Sequence, residues 1–245
     1  MSPRITLRTT GRILRQLRHD PRTIALLLVV PALLLTLMRY VFDAQPEIFN
    51  RVGVIMLGVF PFVAMFLVTS VAMLRERTTG TLERLLTTPL HKLDLLLGYG
   101  LAFALAAAVQ AAVASTLAYW LLDLKTAGSQ WTVGALAIGN AVLGMAIGLL
   151  VSAFAQSEFQ AVQFMPAFVL PQMLLCGLIW PREQMAGWLE KISNVLPMTY
   201  AVDALIQVRG HADPTGTMWR DVSVVVGCIL VALLLGAATL RRRTA

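Results

Sequence analysis

From Val52 to Leu74 the chain reads VGVIMLGVFPFVAMFLVTSVAML, without a single charged residue. A helix needs about 20 predominantly apolar residues to cross the bilayer hydrocarbon, and this run is long enough. Stretches of the same kind lie on both sides of it. The sequence predicts six spans, at 23–42, 52–74, 97–122, 131–154, 162–180 and 222–240. Composition points the same way: 58% of the 245 residues are hydrophobic and 13% are charged, against roughly 25% charged in a soluble domain. The expected fold is one all-α integral membrane domain over residues 1–245.

The flanks of these runs carry the next layer of information. On a helical wheel, Leu7, Thr10, Ile13, Leu14 and Leu17 gather on one side. Arg4, Arg8, Arg12, Arg15, Arg18 and Arg22 gather on the other. Residues 1–22 therefore predict an amphipathic interfacial helix, an elbow lying in the plane of an anionic membrane surface. No small-x-small cleavage site follows the first apolar run, so it reads as an uncleaved helix. The fourth run contains Gly144 and Gly148, a GxxxG pair that lets two helices approach closely; packing inside the bundle is the plainer use, a dimer face the other. Pro166 and Pro171 interrupt the fifth run. Between spans five and six, residues 181–210 predict two short helices, one opened by Pro181 and one running from Pro197 to Gly210. Neither is long enough to span, so they read as outer re-entrant or surface helices.

Charge sets the orientation. With six spans and the N-terminus inside, 13 of the 20 Lys and Arg residues fall on the inner side. The positive-inside rule then predicts both termini in the cytoplasm. The net charge of +7 reports topology and inner-leaflet lipid, not nucleic acid. His19, His91 and His211 are scattered and match no metal-ligand spacing. There is no GxxxxGK[ST] phosphate loop, and none of the three lysines, Lys92, Lys125 and Lys191, follows a glycine. No ATP cradle of that kind is encoded here.

The polar interval 75–92 is the most informative segment. It includes Glu76-Arg77-Thr78-Thr79-Gly80-Thr81-Leu82-Glu83-Arg84-Leu85-Leu86-Thr87-Thr88-Pro89. Gly80 is a candidate N-cap, Glu83 suits the positive end of a short helix, and Pro89 stops it. As a bare pattern this is also a polar loop with one helical turn. The stretch resembles the cytoplasmic signature of type-2 ABC exporter permeases, above all the daunorubicin-resistance-like drug and lipid efflux permeases. A second resemblance follows Pro166 and Pro171: Cys176-Gly177-Leu178-Ile179-Trp180-Pro181, then Trp188-Leu189, then Leu196-Pro197-Met198-Thr199-Tyr200. Ala186-Gly187 departs from it, since the family often has Pro before that Trp.

The resemblance implies a multi-pass protein of the bacterial plasma membrane. It implies a multidrug or antibiotic exporter in which two permease chains, identical or sister, pair with two ABC ATPase subunits. ATP and Mg would be bound by the ATPase, and this chain would bind no cofactor and catalyse nothing. Residues 75–92 would hold the coupling helix, with Arg75, Glu76, Arg77, Gly80, Thr81, Glu83, Arg84 and Leu85 meeting the ATPase, and the elbow would touch it too. For a substrate path the residues offer only surfaces. Phe60 and Phe62 on span two, with Gln163, Phe164, Phe168 and Gln172 on span five, are candidates to line an apolar cleft for an amphiphilic drug or lipid-like cargo. Helix packing or lipid contact would use the same side chains. The rival reading is a proton- or sodium-coupled secondary transporter. Such a protein places ionisable relays within its spans, and the interiors of spans two, four, five and six hold none.

Overall fold

The computed structural model describes residues 3–79 and 92–239. Among them the chain is helical, with no strand. The helices are α1 (Pro3–Arg18), α2 (Pro21–Val41), α3 (Pro46–Thr78), α4 (Lys92–Thr116), α5 (Gln130–Val151), α6 (Glu158–Leu175), α7 (Gly187–Ser193), α8 (Pro197–Gly210) and α9 (Gly216–Thr239). Five of the described helices are long and apolar enough to cross a membrane: α2, α3, α4 with the turn that follows it, α5 and α9. The fifth predicted span is α6, whose 18 residues include Glu158, Gln160, Gln163 and Gln172 and two prolines. That polarity keeps it out of the apolar set.

Local chemistry fixes the helix ends. Asp20 caps α2, accepting from the Thr23 backbone N–H at 3.2 Å, and Pro21 occupies the first turn, where a missing N–H is harmless. Ser129 and Ser157 cap α5 and α6 in the same way. Pro46 opens α3 and Pro197 opens α8. Gly177, at φ 87°, follows the last cap of α6 and turns the chain into the left-handed region that ends helices. After α4, residues Leu117–Leu121 widen into a π-helical turn. Tyr119 there meets Thr126 at 3.1 Å.

The core forms around α3, which buries residues along nearly its whole length against α5. Gly144 and Gly148 make this possible. A Cβ on Gly144 would strike the Phe62 backbone, and one on Gly148 would lie 2.6 Å from the Phe66 carbonyl oxygen. The two helices touch backbone to backbone, so the GxxxG pair serves packing within the chain. Thr69 Oγ1 adds a bond across the same seam to the Met145 carbonyl at 3.3 Å, the kind of polar contact that holds helices together in lipid. Further along the same seam, Gly58 leaves room for Asn140 of α5 and for Leu205 of α8. Helix α8 thereby buries Met198, Val202, Leu205 and Val208 in the bundle.

At 33 residues, α3 is about 50 Å long at 1.5 Å per residue, so it outruns the ~30 Å of hydrocarbon. Its two ends define the two ends of the molecule. At one end, Asn50 accepts from the Lys125 N–H, and Gly128 N–H bonds the Val208 carbonyl. Exposed Tyr40, Trp120, Trp131, Trp180 and Trp219 lie at the helix ends and connections on that side, as an aromatic belt would. At the other end stand α1 and the Arg75–Arg77 run.

The segment opened by Pro181 is not one helix. Arg182–Gln184 form a single 3-10 turn, Met185 is extended, and α7 starts at Gly187. The reason lies in the bonds that fold this segment over the end of α6. Arg182 bonds Asn194 Oδ1 at 3.1 Å and Asp203 at 2.6 Å. Ser193 Oγ donates to the Leu175 carbonyl at 2.8 Å. These tie Arg182 back onto α8. Met185 is thereby separated from the helical face of Trp188, Leu189 and Ile192, and Trp188 and Ile192 are exposed.

Candidate coupling face and substrate path

The basic end is assembled from α1, the start of α2, the end of α3, the start of α4 and the start of α6. Helix α1 is seated on α4 by a close approach. A Cβ on Gly98 would lie 2.7 Å from Thr9, and Thr10 Oγ1 donates to the Gly98 carbonyl at 3.1 Å. Ile13, on the apolar side of α1, is buried beside Tyr99 and Phe103. The arginine face stays outward except at Arg12. Its guanidinium donates to the Tyr99 hydroxyl at 2.7 Å, lies over the Tyr99 ring at 5.8 Å, and reaches Glu76 at 3.6 Å. The elbow is thus bonded to the last turns of α3 through Glu76.

Arg75 grips Glu158 with both arms, at 2.7 and 3.0 Å, a bidentate pair. Both side chains are half exposed, so the pair aligns α3 with α6 more than it stabilises them. Arg77 turns inward and reaches Thr239 Oγ1 at 3.5 Å, near the end of α9. Asp20 accepts from Thr23 at 2.6 Å, and that hydrogen bond holds its carboxyl below the usual range. The three described coupling candidates, Arg75, Glu76 and Arg77, therefore link α3 to α6, α1 and α9 respectively. Gly80, Thr81, Glu83, Arg84 and Leu85 lie outside the described residues.

The substrate-path candidates do not share one open surface within the chain. Phe62 is buried at the Gly144 contact. Phe60 is partly buried against the core. On α6, Phe164 is partly buried and packs edge-on to Phe168 at 6.0 Å. Phe168 and Gln163 face outward. Gln172 is buried, donating to the Phe168 carbonyl at 2.9 Å and accepting from the Met198 N–H at 3.4 Å. That amide joins α6 to the first turn of α8.

Sequence reasoning missed Tyr99 and Gly98 as parts of the basic end, and it placed Glu158 on the inner side without pairing it with Arg75. Glu158 carried a partial signal, since it directly follows the Ser157 cap of α6 and stands 25 residues from the nearest other acid, Glu183. Nothing in the local pattern pairs it with Arg75, or Arg12 with Tyr99. Those contacts join positions that are distant in sequence.

A helical bundle with an aromatic end, a basic end and several bilayer-length apolar helices defines a multi-pass membrane protein. The chain belongs to the ABC-2 type transporter family, which matches residues 6–208. It is similar to the probable multidrug ABC transporter permease YbhR of Escherichia coli (strain K12), 28% identical over 148 residues, 60% of this chain and 40% of that protein. It is also similar to ABC transporter G family member 20 of Dictyostelium discoideum, 24% identical over 178 residues, 72% of this chain and 24% of that one. A third relative is the linearmycin resistance permease protein LnrN of Bacillus subtilis (strain 168), 24% identical over 157 residues, 64% and 40% of the two chains. The chain spans between 24% and 40% of the length of these relatives.

Proposed function

We propose that this chain is the permease subunit of an ATP-driven exporter that carries an amphiphilic drug, antibiotic or lipid-like cargo out of the cell. The family match over residues 6–208 carries the reading. Its power comes from a separate ABC ATPase, which docks on the basic end and holds the ATP and Mg. The docking element is the coupling helix within 75–92, bearing Gly80, Thr81, Glu83, Arg84 and Leu85. The contacts of Arg75, Glu76 and Arg77 support this, because they would spread a push on that segment into α6, α1 and α9 at once. Both termini lie in the cytoplasm on this reading, and the Arg-rich face of α1 meets anionic headgroups.

Helix α6 is the fifth of six spans, with α7 and α8 as outer re-entrant helices. Its exposed face argues against plain lipid contact. Gln163 is exposed there, and Pro166 and Pro171 free the carbonyls of Val162 and Ala167. Unsatisfied polar groups cost several kcal/mol each in hydrocarbon. A second permease chain, or a wet cargo path past Gln163 and Phe168, would cover them. The amides here cannot relay protons, which counts against the secondary-transporter alternative.

The test is Glu83→Lys in vesicles that contain the chain together with its ATPase. The expected outcome is normal insertion with transport-coupled ATP hydrolysis reduced by at least about tenfold, as loss of one charged contact would give. Full coupling in the variant would remove the assignment of that helix.

A further inference from the structure

A cleft of about 530 Å³ lies between α1, the start of α2, the last turns of α3 and α4. That volume falls in the roughly 300–1,000 Å³ range of small-molecule sites. Along α3 it runs from Leu67 to Thr79, about 18 Å at 1.5 Å per residue. Its character changes over that length. Leu67, Val68 and Val71, facing Ile13, Leu17 and Phe103, make an apolar wall. Arg75 and Glu76, with Asp20 from the α1–α2 connection, bring charge of both signs to the other end. Leu26, on the α2 wall, is largely exposed, so that wall of the cleft borders the outer surface of an apolar helix. This gradient, apolar toward the middle of α3 and zwitterionic at its basic end, is the gradient of one membrane leaflet.

Glu76 specifies the headgroup. Its side chain is about nine-tenths buried, with Oε1 3.6 Å from Arg12. Its Oε2 is shut from solvent with no donor at hydrogen-bond geometry. The carboxylate's other neighbours are the Arg12 guanidinium and the hydroxyl of Tyr99, which lines the same cleft. Buried carboxylate oxygens are costly to leave without a donor. The terminal torsion of Glu is soft, so a small turn offers this oxygen to the cleft that Glu76 lines. A primary ammonium brings three N–H donors and a positive charge. A choline brings the charge without an N–H, and a phosphoglycerol brings net negative charge beside Asp20 and Glu76. Arg75, whose Nε and Nη2 are bonded to Glu158, keeps its Nη1 donors at the same end for the phosphate of the same head.

We propose that this cleft holds a phospholipid with a primary-ammonium headgroup, taken from the leaflet at the basic end. Its acyl chain lies along Leu67, Val71 and Phe103, and its ammonium sits on Glu76. The site needs only a membrane-embedded chain, not the exporter assignment. The lipid would wedge the elbow and α3 at the separation found here.

The test uses the full-length chain in nanodiscs containing an ethanolamine phospholipid with a photoreactive diazirine on one acyl chain. After illumination, peptide mapping should find adducts on Leu67, Val68, Val71 and Phe103. Unlabelled ethanolamine lipid should compete about tenfold better than choline or glycerol lipid, and Glu76→Gln should lose that preference, as expected for one charge-assisted hydrogen bond. Val71→Trp, which fills the cleft, should abolish these adducts while leaving those on the exposed surface of α2 at Val29 and Leu33. Those surface adducts also report that the variant is folded and inserted. Adducts confined to that outer surface, equal competition by all three lipids, or an unchanged preference in Glu76→Gln would overturn the proposal.

Discussion

Arg182 and Asp203 show how a single pair can shape a connection. Both side chains are about four-fifths buried, and their ion pair is 2.6 Å long. Burial pushes the Asp203 carboxyl up to about 6, outweighing the pull of Arg182. A raised carboxyl binds its proton more tightly folded than unfolded. Its contribution to stability is therefore complete below the ordinary value of 3.8 and is lost as pH rises through about 6. Arg182→Ala should destabilise the protein by about 1–3 kcal/mol at neutral pH, because it strands a buried acid. Without the pull of Arg182 the acid takes up its proton at a higher pH still, so the deficit should shrink as pH falls from neutral toward about 6. Thermal unfolding in detergent across that range checks it, and a deficit that grows on acidification would contradict it.

At the scale of elements, two glycine contacts carry the assembly. Gly148→Leu would drive a side chain into the Phe66 backbone. It should separate α3 from α5 and lower stability by at least about 1–3 kcal/mol, the usual range for overpacking. Gly98→Val would meet Thr9 and should release α1 selectively. Hydrogen exchange should speed up in residues 3–18 and leave α5 unchanged; uniform protection would show that the elbow is held otherwise. The elements differ in how legible they were. Pro197 and Gly210 bound α8 in the sequence and in the structure, because those residues act locally. The alternating arginine and apolar faces of α1 were readable for the same reason. The break at Met185 was not, since it depends on Arg182 reaching Asp203 across 21 positions. The basic-end network was hidden likewise, with Arg12 meeting Tyr99 and Arg75 meeting Glu158 over more than 80 residues. Composition marked α6 as apolar, yet its glutamines and prolines set it apart from the other long helices.

In the whole molecule, a bundle built on α3 meets a basic end at which side chains tie α3 to α1, α6 and α9. A force applied near Arg75–Arg77 would reach α1, α6 and α9 through side chains already in contact. On the exporter reading, the motor is a separate polypeptide, and these 245 residues hold no phosphate loop of the GxxxxGK[ST] kind. The direct measurement is recovery of partners by an affinity-tagged chain extracted gently from its native membrane, with the recovered proteins sequenced. A polypeptide bearing a GxxxxGK[ST] loop should be recovered in amounts comparable to the chain and be lost when Glu83 is replaced by Lys. Recovery of the chain without any such protein, in a preparation that still moves cargo, would contradict the exporter reading.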